Sequence, residues 1–67
     1  MSVVKVTEIT SSSTESFQDA IEKGIARASR TIRNISGAWV NEEKVMVEGG
    51  RVTEWRVNMK VSFLLED

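Results

Sequence analysis

Between residues 53 and 65 the chain alternates strictly. Trp55, Val57, Met59, Val61, Phe63 and Leu65 are apolar, while Glu54, Arg56, Asn58, Lys60 and Ser62 between them are polar, with Leu64 the one apolar even position. A period of two over so long a run describes a β-strand with one face for a core and one for water, a ligand or another subunit. No other stretch constrains the fold as strongly, and the rest of the chain must supply the core that the odd face requires.

The chain has 67 residues, of which 40% are hydrophobic, enough for one small globular domain over residues 1–67 and too apolar for a disordered chain. A domain of this size buries only about 60% of its unfolded surface, so it usually needs a further source of stability. Cysteine and histidine are absent, which removes disulfides, Cys/His zinc sites, thiol nucleophiles and histidine acid–base catalysis. Oligomerisation is the remaining common solution. Nine basic residues against ten acidic ones give a net charge of -1, so no positive field draws the chain to nucleic acid or an anionic membrane. No window approaches the ~20 apolar residues of a membrane span and no leader is evident, which makes the cytoplasm the default location.

Residues 3–10 are rich in valine, isoleucine and threonine and read as a first strand, either face of which can point inward. Ser12 with Glu15 forms a capping-box pattern, Ser13 being an equally good N-cap, and predicts a helix start. Over residues 14–34, Phe17, Ala20, Ile21, Gly24, Ile25, Ala28 and Ile32 define one apolar stripe at helical spacing. Acidic residues lead this segment and Lys23, Arg27, Arg30 and Arg33 end it, matching the helix dipole; Asp19 and Lys23 can pair at i,i+4. Gly24 within the stripe points to close approach of a strand or another helix. Residues 38–48 read as a second strand, and Gly49-Gly50 as a two-residue hairpin loop. An uninterrupted register from that loop sets Glu48 opposite Arg51, Glu43 opposite Arg56, Asn41 opposite Asn58, Val40 opposite Met59, Trp39 opposite Lys60 and Ala38 opposite Val61.

The expected fold is therefore α+β, a βαββ unit with a three-stranded antiparallel sheet ordered 1-3-2 on one helix, the alternating strand in the centre. At about 3.3 Å per residue the alternating run spans roughly 43 Å, against about 30 Å for the helix, so the sheet overhangs its helix. Trp55 at one end and Phe63 with Leu65 at the other are expected to be partly uncovered in a single chain, and further copies to cover them.

Ser16-Phe17 with Ala20-Ile21, Arg27-Ala28 with Thr31-Ile32-Arg33-Asn34-Ile35, and Val57-Asn58-Met59-Lys60-Val61-Ser62-Phe63 with Leu65-Glu66-Asp67 resemble the dodecins, small βαββ proteins that assemble as hollow twelve-subunit shells and typically bind flavin. The resemblance covers nearly the whole chain. It implies a homododecamer that binds, buffers or stores a small ligand and is not an enzyme, flavin (FMN or riboflavin) being the first candidate and coenzyme A another. It also implies a ligand site on the polar face of the alternating strand. The candidate binding residues are Gly37, Trp39, Arg56 and Asn58, with Lys60 on the same face.

This chain departs from the flavin pattern at two of them. The stacking tryptophan aligns with Gly37, and the hydrogen-bonding glutamine with Arg56; Trp39 falls where the family usually has a carboxylate, and Leu64 where an arginine is usual. A flavin-lacking, calcium-holding branch of the family looks similar at the first two positions. Trp39 on the open face can serve either subunit packing or ring stacking, and Arg56 either a salt bridge to Glu43 or Glu54 or a ligand contact. Trp55 belongs to the core face. Calcium needs six to eight oxygens, and no dedicated loop supplies them. Glu42, Glu43, Glu48, Glu66 and Asp67 are the candidates for a site built by symmetry, so a flavin-free structural or calcium-holding shell is the alternative.

Overall fold

The structure, a computed structural model, describes residues 2–66. Its elements run β1 (Val4–Ser13), α1 (Phe17–Ala28), β2 (Ile35–Glu48) and β3 (Arg51–Leu64). β3 pairs antiparallel with both other strands, in the order β1-β3-β2. This is the expected topology, and the alternating strand is its centre. The hairpin closes as expected through Gly49 and Gly50, both at positive φ (58° and 77°), which gives the turn the twist its strands require.

The core lies where α1 meets β3. Val57, Met59 and Val61 are fully buried with Ala20, and Ile9, Phe17, Ile21, Ile25 and Ile35 pack around them. Each large side chain so buried contributes about 1.5–3 kcal/mol. Gly24 is the point of closest approach. A Cβ there would lie 2.8 Å from Met59 Cε and 2.9 Å from Ser11 Cβ, so the neighbour that explains the glycine is the sheet itself, on both β1 and β3.

The helix is shorter at both ends than the segment 14–34 expected to form it. β1 continues through the serines, with Ser11 opposite Val57, Ser12 opposite Arg56 and Ser13 opposite Trp55. The N-cap is Ser16, whose hydroxyl accepts from the Asp19 N–H at 2.9 Å. Ser13 is buried instead as the hub of the β1–α1 turn: its hydroxyl accepts from the N–H groups of Glu15 (2.9 Å) and Ser16 (3.3 Å) and donates to Asp19 Oδ2 at 2.6 Å. The Ser12–Glu15 capping reading is thus replaced by a Ser16–Asp19 one. At the other end the helix stops at Ala28. The Ser29 hydroxyl donates to the Ile25 carbonyl at 2.8 Å and the Thr31 N–H and hydroxyl both close onto Ala28 O, so short polar side chains compete for the carbonyls that would carry the helix on. Asn34 then takes a left-handed conformation (φ 65°) leading into β2, a conformation that asparagine tolerates better than most residues.

Twelve helical residues span about 18 Å, whereas the sheet gives the molecule a longest dimension of 51 Å. The overhang is larger than expected. α1 packs on β1 and β3, and Val40, Val45, Val47 and Val52 stay exposed, as does Leu65, with Trp55 and Phe63 half-buried.

Two measurements probe this packing. Gly24→Ala gains helix propensity, but Ser11 Cβ cannot move away without its strand, so the variant should lose about 1–3 kcal/mol in denaturant unfolding; unchanged or raised stability would mean that α1 and β1 are not in close contact. Asp19 is held below its ordinary carboxyl value of 3.8, first by the Ser13 hydroxyl and then by Lys23, whose ammonium lies 3.0 Å away. A depressed folded pKa gives stability that is present above the unfolded value and is lost as pH falls through the folded one. Unfolding curves between about pH 5 and pH 2 should therefore show a steeper loss of stability in the wild type than in Asp19→Asn, and parallel losses would contradict that role.

Candidate functional site

With Val57, Met59 and Val61 turned to α1, the even residues of β3 form the opposite face of the sheet. Cross-strand partners share a face. Lys60 sits between Glu8 of β1 and Trp39 of β2; Asn58 between Thr10 and Glu42; Arg56 between Ser12 and Lys44; Ser62 between Val6 and Gly37. All four candidate binding residues, Gly37, Trp39, Arg56 and Asn58, are thereby brought to this one face, along with Lys60.

Two of the pairings differ from the uninterrupted register. It holds from Glu48–Arg51 to Val47–Val52, shifts so that Met46 meets Glu54, and shifts back so that Val40 meets Met59; Ala38–Val61 and Trp39–Lys60 follow as expected. Thr53 and Asn41 are the extra residues at two compensating β-bulges, and a third irregularity passes over Ser36. Between the first two, every residue of β2 faces the side opposite to the one expected. Glu43 moves opposite Val57 and Lys44 opposite Arg56, while Asn41 leaves the paired ladder and Glu42 takes its place across from Asn58. The cause is the spacing of Val40 and Val45. Five residues apart, they can share the helix side, opposite Met59 and Trp55, only if one residue is looped out between them.

Hydrogen bonds tie the face together across all three strands. Asn58 Nδ2 donates to Thr10 Oγ1 at 3.2 Å, and Asn41 Nδ2 donates to Asn58 Oδ1 at 3.4 Å. Arg56 Nε donates to Ser12 Oγ at 3.0 Å and Nη2 to Glu54 Oε1 at 3.4 Å. The Glu54 salt bridge was one of the two expected for Arg56; the Glu43 one is excluded by the bulges. Thr10, Glu42, Glu43, Lys44, Arg56 and Asn58 line an open depression of about 460 Å³ on this face. Two of them, Thr10 and Lys44, do not stand out in the sequence as site residues, and Glu42 and Glu43 stand out only as candidates for calcium. The broken valine spacing between residues 40 and 45 was the signal that could have found Lys44.

At the other end of the face Trp39 is 60% exposed, leaving most of an indole free for a flat partner. Gly37 has an ordinary strand conformation, and a Cβ added there would stand 3.5 Å from Ser62 Oγ, a normal contact. The glycine is therefore not required by the backbone; it opens the face beside Trp39. Trp55, read as core, is half-buried on the helix side as expected. Among the described residues no three acidic side chains converge as a metal-binding group, and Asp67, one of the calcium candidates, lies outside those residues. No described helix is long and apolar enough to cross a membrane.

The dodecin family model matches residues 3–66. The dodecin of Streptomyces davaonensis is similar over 98% of this chain and 97% of its own, at 36% identity and a TM-score of 0.93. A variant of the Thermus thermophilus dodecin is 31% identical with a TM-score of 0.94, covering 100% of this chain and 98% of its own. The calcium-chelating calcium dodecin of Mycobacterium tuberculosis is 29% identical with a TM-score of 0.82, over 96% and 91% of the two chains. No curated protein sequence matches. A βαββ chain with this sheet order, matched over nearly its whole length, belongs to the dodecin family.

Proposed function

We propose that this chain is the single-domain subunit of a homododecameric shell that binds a small planar ligand on the face carrying Trp39, Arg56 and Asn58, with flavin (FMN or riboflavin) as the first ligand to test. The observation that carries the reading is the exposed indole of Trp39 beside the space left at Gly37. An isoalloxazine ring has the flat shape to use both, and Asn58 and Arg56 offer amide and guanidinium groups along the same face. Coenzyme A, whose adenine is also planar, suits the same surface. The role is binding or storage, in the cytoplasm, with no chemistry of the protein's own: the chain lacks cysteine and histidine, and Glu and Arg on this face flank no nucleophile.

Self-association follows from the uncovered side of the sheet. Val40, Val45, Val47 and Val52, with Trp55 among them, are more apolar surface than one 12-residue helix covers, and contact with further copies removes it from water.

The alternative is a flavin-free shell that holds calcium. It is favoured by Gly37 and Arg56 standing at the positions of the two usual flavin contacts, and the calcium-chelating Mycobacterium tuberculosis dodecin is among the similar structures. Since no acidic trio forms within the described part of one chain, such a site needs carboxylates from several copies.

Titration of the assembled protein into riboflavin and FMN should quench flavin fluorescence, and Gly37→Trp should strengthen the quenching by adding a second ring where there is room for one. Absence of quenching at tens of micromolar in both proteins would remove the flavin reading and leave the calcium one, which equilibrium dialysis against calcium then tests. Light scattering coupled to size-exclusion chromatography should give twelve times the subunit mass of 7.5 kDa; a stable monomer or dimer would contradict the shell.

A further inference from the structure

The pair of compensating bulges places two cations side by side. In an uninterrupted hairpin Arg56 would face Glu43 as an ion pair, and Lys44 would lie opposite Trp55 on the helix side. Instead Lys44 faces Arg56 on the outer face. Like charges directly opposite each other destabilise a strand pair, and within this pair only Arg56 has a partner. Its guanidinium is bound to Ser12 and Glu54, whereas Lys44 makes no ion pair among the described residues. Both line the 460 Å³ depression, next to Thr10 and Asn58.

We propose that Lys44 and Arg56 together form an oxyanion-binding site that takes a phosphate group. An anion between them turns a repulsive pair into two charge-assisted contacts. Arg56, half-buried and already held by Ser12 and Glu54, is the fixed half of the site, and Lys44 is the mobile one. Glu42, opposite Asn58, stands on the same rim and restricts an anion to the Lys44–Arg56 side. The site shares its face with the planar-ligand reading but does not depend on a ring. If both hold, the geometry suits a ligand with a ring at Trp39 and a phosphate about 13 Å along the sheet, the four-residue separation of Lys60 from Arg56. The phosphate can belong to such a ligand or be free.

Isothermal titration of the assembled protein with pyrophosphate, FMN and riboflavin separates these cases. Pyrophosphate should bind, three- to tenfold more weakly in Lys44→Gln and with unchanged affinity in Lys44→Arg, and the binding should weaken as salt is raised. FMN should bind tighter than riboflavin by a similar factor, and Lys44→Gln should abolish that preference while leaving riboflavin affinity unchanged. Lys44 is exposed, so both variants are expected to fold, which far-ultraviolet circular dichroism checks. If pyrophosphate binds in this Lys44-dependent way and neither flavin binds, the anion site stands and the flavin reading falls. If neither pyrophosphate nor an FMN preference is seen, or if Lys44→Gln changes neither, the anion site is wrong whatever the flavins do.

Discussion

Everything in this fold depends on the contact between the middle of α1 and the inner face of β3. Met59, flanked by Val57 and Val61, lies under a helix that has only Ala20 and Gly24 at the closest points. Small residues on the helix let large ones on the strand be buried completely, as close packing of an interior requires. That contact fixes which face of β3 is inward, and alternation along the strand then fixes the outer face with no further choice. It is also a small contact. One short helix covers the centre of a much longer sheet, and so the chain leaves apolar surface uncovered.

The composition of the outer face follows from a demand of the inner one. Val40 and Val45 are both drawn to the helix side, opposite Met59 and Trp55, and their odd spacing forces a residue out of the ladder. The bulge that satisfies them rotates Glu43 away from Arg56 and brings Lys44 to it. Hydrophobic register, worth more than one exposed ion pair, therefore decides the electrostatics of the outer face. Asn41, displaced by the same bulge, still reaches Asn58 Oδ1, so the amide is held from both neighbouring strands although its ladder partner is Glu42.

Much of this was legible in the sequence. The strict alternation of β3, the Gly49-Gly50 loop and the glycine in the apolar stripe each have a single physical meaning, and they yielded the sheet order, the hairpin, the close approach at Gly24 and the shared face of Gly37, Trp39, Arg56 and Asn58. The helix ends were not legible, because Ser12 and Ser13 suit a strand end as well as a cap, and Ser29 with Thr31 halts a stripe that hydrophobicity alone would extend to Ile32. The register of the hairpin centre was missed for a different reason: a period-two reading assumes one residue per step, and a bulge is visible only when the spacing of the valines on β2 is weighed against that of their partners on β3. The ligand is less legible still. Gly37 and Arg56 depart from the flavin pattern that the resemblance implies, and the proposed anion site rests on Lys44, which only the bulged register brings to the face.

The account stands on the outer face of β3 being the ligand face of an assembly held by the opposite side. A crystal structure of the assembled protein grown with FMN tests this most directly. It should show copies packed over Val40, Val45 and Trp55, with the ring against Trp39 and the phosphate between Lys44 and Arg56. Ligand density on the helix side, or an outer face without ligand at saturating FMN, would contradict it.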